Sequence, residues 1–202
     1  MSNVLVIGNG ESRKGINIDE LEGYIKVGCN AIHREFQVDH LVCCDRRMIV
    51  EAAKTLNPNT LLHVRPEWYR HYRKVEKNKN VQELPPVITQ GELKVDRAEH
   101  WGSGTYAILI GSLLSEDITL LGFDLYGDGN QVNNIYKGTE NYGKIGGQAV
   151  DPSFWIYQTA AIFRTFHQKK FTIINKADWI LPKEWNRSNV TVKTLDEFLK
   201  SS

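Results

Sequence analysis

Two short glycine-bearing segments carry the residue types that could handle a phosphorylated ligand. They are Gly8-Asn9-Gly10-Glu11-Ser12 near the amino terminus and Ser103-Gly104-Thr105 at mid-chain. A phosphate needs backbone N–H groups that it can approach without a Cβ in the way, and Gly8, Gly10 and Gly104 meet that need. A nucleoside needs short side chains that both donate and accept, which Asn9, Asn30 and Ser103 supply, with Ser12 and Thr105 alongside. Asp45 and Asp124 each close an apolar run, where a carboxylate suits a ribose hydroxyl or a Mg²⁺ ion, or simply accepts loop amides. No third glycine follows Gly10 at Arg13, so the dinucleotide fingerprint is incomplete, and no Gly-Lys-Ser/Thr phosphate loop occurs. The expected site is a nucleotide pocket of another kind.

Chemistry of this sort needs a frame that brings distant turns together. Short runs rich in Val, Ile and Leu, namely 3–7, 24–29, 39–44, 60–64, 118–121 and 171–174, end in Gly8, Asn30, Asp45, Arg65, Gly122 and Asn175. Such runs, bounded by polar residues, read as buried parallel strands. Between them, Met48, Ile49, Ala52, Ala53 and Leu56 share one helical face over 46–56. Tyr106–Leu114 is apolar on nearly every side and reads as a buried helix whose amino end is Ser103-Gly104-Thr105. Asp151-Pro152-Ser153 reads as the start of a helix reaching His167, and Thr194 as the start of a last one after a short strand at 190–192. The pattern predicts one α/β domain over residues 1–202, a Rossmann-like, doubly wound parallel sheet. Ligands of such sheets sit at the carboxyl ends of the strands. Segment 127–150, rich in Gly, Asn and Tyr and without periodicity, reads as a lid or active-site loop. Segment 78–90, with Pro85-Pro86, reads as a connector.

Composition sets the outer bounds. The 202 residues hold 25 Lys+Arg against 24 Asp+Glu, a formal net charge of +1, which removes the footprint of a protein that coats nucleic acid. The basic, aromatic stretch 66–79 reads as a solvated helix anchored by Trp68, Tyr69 and Tyr72. No apolar run nears the ~20 residues of a membrane span, and the amino terminus lacks the marks of a signal peptide, so the expected location is the cytoplasm. Cys29, Cys43 and Cys44 have no metal-type spacing and read as buried fillers.

The opening Val6-Ile7-Gly8-Asn9-Gly10-Glu11-Ser12, the Gly28-Cys29-Asn30 strand end, Ser103-Gly104-Thr105-Tyr106 and Leu121-Gly122-Phe123-Asp124-Leu125-Tyr126 together resemble the small bacterial sialyltransferases. The resemblance covers roughly the first three-quarters of the chain. A more distant similarity, through the Gly-Asn-Gly-x-Ser opening and the Ser-Gly block, runs to the pterin pyrophosphokinases and the flagellin-modifying motility accessory factors. The first resemblance implies a single Rossmann-like domain with a lid, a cytidine monophosphate–sugar donor, and inverting transfer to an unidentified acceptor without a metal. It implies nucleotide contacts from Asn9, Gly10, Asn30, Ser103, Gly104 and Thr105. It also implies tyrosine hydroxyls on the departing phosphate, with Tyr126 as the first and Tyr136 or Tyr142 as the second. The family's general base is a histidine where the lid rejoins the body. This chain has Gly146-Gly147-Gln148-Ala149-Val150-Asp151-Pro152 there, leaving Asp151 as the local acid–base group. Asp45 stands where the family carries an asparagine. Two other readings follow: Mg²⁺-dependent pyrophosphoryl or phosphoryl transfer with the ion on Asp45 and Asp124, and binding of a nucleotide without turnover.

Overall fold

The computed structural model describes residues 3–74, 79–89, 91–127 and 129–200. Eight strands form one sheet: β1 (Asn3–Ile7), β2 (Tyr24–Cys29), β3 (His40–Val42), β4 (Leu61–Val64), β5 (Val81–Glu83), β6 (Asp117–Leu121), β7 (Lys170–Ile174) and β8 (Val190–Lys193). Their order is β5-β4-β3-β2-β1-β6-β7-β8, and every pairing is parallel. The chain winds outward from β1 to β5, crosses back beneath the sheet, and then winds the other way from β6 to β8. The expected doubly wound, Rossmann-like sheet is therefore present, with its direction reversing between β1 and β6.

Alternation along each strand feeds two cores. Val4 and Val6 of β1 join Val27, Val42, Ile118, Leu120 and Ile173 on one face, while Leu5 and Ile7 join Leu41, Leu62, Val64, Leu121 and Ile174 on the other. The first face is covered by α3 (Ser103–Leu114) and α4 (Ser153–Thr165), and the second by α1 (Arg46–Thr55), α2 (Pro66–Lys74) and α5 (Leu195–Leu199). Being buried on both sides explains why the strands read as continuous apolar runs. Cys43 and Cys44 point into opposite cores, and all three cysteines are free and buried. Thr194 starts α5 with a reciprocal capping box to Glu197. In α2, Tyr72 is buried and Trp68 and Tyr69 pack against the core, as the aromatic anchors predicted; Lys77 lies outside the described residues.

Several boundaries differ from expectation, among them β3, which ends at Val42 rather than Cys44. Segment 79–89 is more than a connector, because Val81–Glu83 adds the edge strand β5 beside β4; Asn78 and Gln90 lie outside the described residues. Helix α4 ends at Thr165, two residues short of His167. No helix among the described residues is long and apolar enough to cross a membrane.

Candidate functional site

The reversal between β1 and β6 opens a crevice at the carboxyl ends of the strands, the usual ligand position in such sheets. Its volume is about 470 Å³. It is walled by the ends of β1, β2, β3, β4 and β6, by the amino end of α3, and by Trp155 and Thr159 of α4. Gly8, Asn9, Gly10, Asn30, Asp45, Ser103, Gly104, Thr105 and Asp124 all line it. Gly8 and Asp124, 116 positions apart in sequence, thus meet in one cleft because the sheet order places β6 beside β1.

The two glycine-bearing segments play different parts in it. In the β1 loop, Gly8 N donates to Leu121 O (2.8 Å) and Gly10 N to Gly122 O (2.9 Å). Glu11 N donates to Asn133 Oδ1 (2.8 Å) and Ser12 N to Asp124 Oδ2 (2.9 Å). Ser12 Oγ donates to the other Asp124 oxygen. These four donors already have acceptors; the amide of Asn9, a residue of the crevice lining, has none among the described residues. The glycines are there for packing. A Cβ at Gly8 would drive into the Gly122 carbonyl, and one at Gly10 would lie 2.6 Å from both Asp124 carboxylate oxygens.

Beneath this loop sits Arg13, only 1% exposed. Its guanidinium donates to Gly8 O (2.7 Å), Asn9 Oδ1 (3.4 Å) and Tyr136 Oη (3.1 Å) and lies over the Phe36 and Tyr136 rings. Asn9 Nδ2 in turn donates to Cys29 O (3.0 Å) and Tyr142 Oη (3.1 Å). Of the loop amides from Gly8 to Ser12, four are thus engaged and that of Asn9 alone is not.

At the amino end of α3 the situation reverses. Ser103 Oγ accepts from Cys44 N (2.9 Å), which ties the helix to the end of β3. Tyr106 N donates to Gly102 O (3.1 Å), closing the first turn. The amides of Ser103, Gly104 and Thr105 have no acceptor among the described residues. Ser103 and Thr105 are buried. Three free N–H groups and the positive end of a 12-residue helix therefore open into the crevice, which suits an anionic oxygen.

The tyrosines and Asp151 do not join this wall. Tyr136 is buried against Arg13, and burial pushes its phenol up to about 12. Tyr142 is held by Asn9 and by Ala31 N (3.4 Å), with its phenol also raised by burial. Tyr126 is half-buried outside the crevice lining, its phenol raised by burial, and its carbonyl accepts from Asn133 Nδ2 (3.1 Å). Asp151 is exposed, and its Oδ1 accepts from Ser153 N (2.9 Å) at the start of α4. Ser12 sits behind the wall, bonded to Asp124 as described.

Segment 129–150 carries a single isolated bridge, Gln131–Gln148, and otherwise irregular backbone. It is fastened to the body at several points. Arg34 donates to Thr139 Oγ1 and Glu140 O (both 2.9 Å) while holding Glu51 at 2.5 Å, and Asn141 Nδ2 donates to Glu51 Oε2 (2.8 Å). Ile135 N donates to Asn9 O (2.9 Å). The segment contributes Asn133 and Asn134 to the crevice.

Several wall residues were not placed in the site from sequence: Arg65, Glu99, Trp101, Asn133, Asn134 and Trp155, and also His100, whose position just ahead of Trp101 reads as structural or exposed. Of these, Arg65 carried a signal, since it follows β4 as Asn30 follows β2 and Asp45 lies just beyond β3. The rest stand in turns whose approach to the cleft is set by topology alone. No family model, curated protein or solved structure matches the chain significantly.

Proposed function

We propose that the crevice binds a pyrimidine nucleotide sugar through its phosphate and that the protein is a metal-independent, inverting glycosyltransferase of the sialyltransferase-like kind. The observation that carries the reading is the set of three unsatisfied amides at the amino end of α3, facing a cleft lined by Asn9, Asn30, Asn133 and Asn134. The amides would stabilise negative charge as the glycosidic oxygen leaves with the nucleotide, taking the part that the resemblance gave to tyrosines. Asn30, whose Oδ1 is buried without a partner, and Asn134 would read the nucleoside, and the exposed Asp45 carboxylate a ribose hydroxyl. Segment 129–150 would serve as the wall of the donor site.

In the reaction, a base takes the acceptor hydroxyl proton and the acceptor oxygen attacks the anomeric carbon. The bond from that carbon to the phosphate oxygen breaks, and the nucleotide departs with the electron pair. His100, half-buried in the wall with its ring edge-on to Phe154 at 6.0 Å, is assigned the proton-accepting role in place of Asp151. The Mg²⁺ reading is less well supported, because each Asp124 oxygen already spends a lone pair on Ser12 and has less left to share with Asp45 on an ion.

Titration calorimetry with cytidine and uridine mono- and diphosphates and their sugar esters, with Mg²⁺ and with EDTA, tests the reading. Binding in EDTA, weakened about tenfold (~1.4 kcal/mol) by Asn30→Ala, supports it. Absence of binding by every such nucleotide overturns it. Turnover abolished by EDTA points to phosphoryl transfer instead, and binding without turnover of any acceptor tried points to a sequestering protein.

A further inference from the structure

Three of the arginines near the strand ends differ in what they hold. Arg13 is fully engaged by Gly8, Asn9 and Tyr136, and Arg34 pairs with Glu51 through two nitrogens at 2.5 and 2.7 Å. Arg65 is different. It follows β4, lines the crevice, and forms no ion pair among the described residues. Its Nη2 donates to Glu99 O (3.1 Å) and Trp101 O (3.2 Å), the carbonyls just ahead of α3, which fixes the guanidinium against the wall. Its Nε is buried and has no partner.

Beside it Trp101, 0% exposed, also lines the crevice, and its Nε1–H has no acceptor. A buried donor without an acceptor is costly, and the half-buried Arg65 keeps its Nε as one. The two donors belong to wall residues that touch each other through Arg65 Nη2 and Trp101 O, just ahead of α3.

We propose that Arg65 and Trp101 bind a second acidic group of the crevice ligand, a phosphate or carboxylate beyond the phosphate held at α3. This inference rests on the nucleotide reading above. The ligand is then at least doubly acidic, with one group at the helix end and the other toward β4. Arg65 is a specificity-determining residue rather than a catalytic one. Asp45 and Glu99, in the same half of the crevice, disfavour a ligand whose second group is acidic but misplaced, which sharpens the choice.

The test uses the full chain and four probes in calorimetry: UMP, UDP, UDP-glucose and UDP-glucuronate, or the cytidine series if that base binds. UDP against UMP isolates a second phosphate; UDP-glucuronate against UDP-glucose isolates a carboxylate. The wild type is expected to prefer the more acidic member of at least one pair by tenfold or more. Arg65→Gln is expected to erase that preference, weakening the preferred probe ~10- to 100-fold while UMP changes less than about threefold. Arg65→Lys, which keeps the charge but loses the guanidinium fork, keeps the test usable if Arg65→Gln fails to fold, and is expected to reduce the same preference several-fold. If the wild type binds UMP and UDP equally and the two sugar esters equally, or if the variants weaken every probe alike, the inference is overturned while the nucleotide reading stands. If no probe of either base binds, both fall together.

Discussion

The β1 loop and the amino end of α3 look alike in sequence and behave oppositely in the fold. Both put small residues and glycines at the mouth of the same crevice. In the loop, the amides of Gly8, Gly10, Glu11 and Ser12 end on Leu121, Gly122, Asn133 and Asp124. At α3, the amides of Ser103, Gly104 and Thr105 end on nothing among the described residues. Glycine therefore has two meanings here. Gly8 and Gly10 let backbone and carboxylate pack closely across the β1–β6 junction; Gly104 stands at an open donor site. A glycine pattern alone does not separate scaffold from site, whereas following each N–H to its acceptor does.

The largest expected effect comes from breaking the scaffold side. Gly8→Ala should destabilise the fold by about 3 kcal/mol or more, because the methyl meets the Gly122 carbonyl and neither backbone can retreat within a paired sheet. Urea denaturation measures it. A loss below about 1 kcal/mol would mean the junction is looser than its geometry.

The histidine pair between β3 and β4 sets the pH range in which the comparison can be read. His40 Nδ1 and His63 Nε2 are 2.8 Å apart, and burial, then the neighbouring His40, lowers His63 from 6.5 to about 4. The folded state thus binds its proton more weakly than the unfolded one. Stability is full above pH 6.5 and falls as pH drops toward 4, by about 3 kcal/mol from His63 alone. His40 is lowered too, chiefly by burial, and adds loss of the same sign. Thermal unfolding between pH 7 and 4 should show this slope, and His63→Gln should flatten it; an unchanged slope would place the acid sensitivity elsewhere.

Asp124→Asn removes the charge that holds Ser12 and should cost about 1–3 kcal/mol of stability, with ligand affinity affected less than threefold in protein that remains folded. Affinity lost ahead of stability would make Asp124 a ligand group after all. Gly104→Ala reverses the pattern. Its Cβ would sit 3.4 Å from Phe123, an ordinary contact, so stability should stay within about 1 kcal/mol of wild type. The same methyl narrows the approach to the α3 amides, and nucleotide affinity should fall about tenfold, or ~1.4 kcal/mol. A variant that binds as wild type would separate the helix end from the ligand.

Much of the frame was legible because the six strands inside the sheet are apolar runs, and of the two edge strands β8 still reads as a short Val-Thr-Val strand while the other does not. The exception, Val81–Glu83, has a single buried apolar side chain and lies at the sheet edge, so its membership depends on pairing with β4 and not on its own pattern. Asn9, Asn30, Ser103 and Asp124 were legible because strand ends converge in any parallel sheet. The free or bonded state of each amide was not, since Asn133 and Gly122 reach the β1 loop from more than 100 residues away. Tyr136 and Tyr142 have the residue type that the resemblance asks for, but Arg13 and Asn9 hold them behind the wall.

The most direct test follows the backbone amides themselves in a ¹⁵N–¹H correlation spectrum during addition of the tightest-binding nucleotide. The account predicts that the Ser103, Gly104 and Thr105 resonances move most and move downfield, while Gly8, Gly10, Glu11 and Ser12 shift little. The reverse, large shifts in the β1 loop with Ser103–Thr105 unmoved, would contradict it.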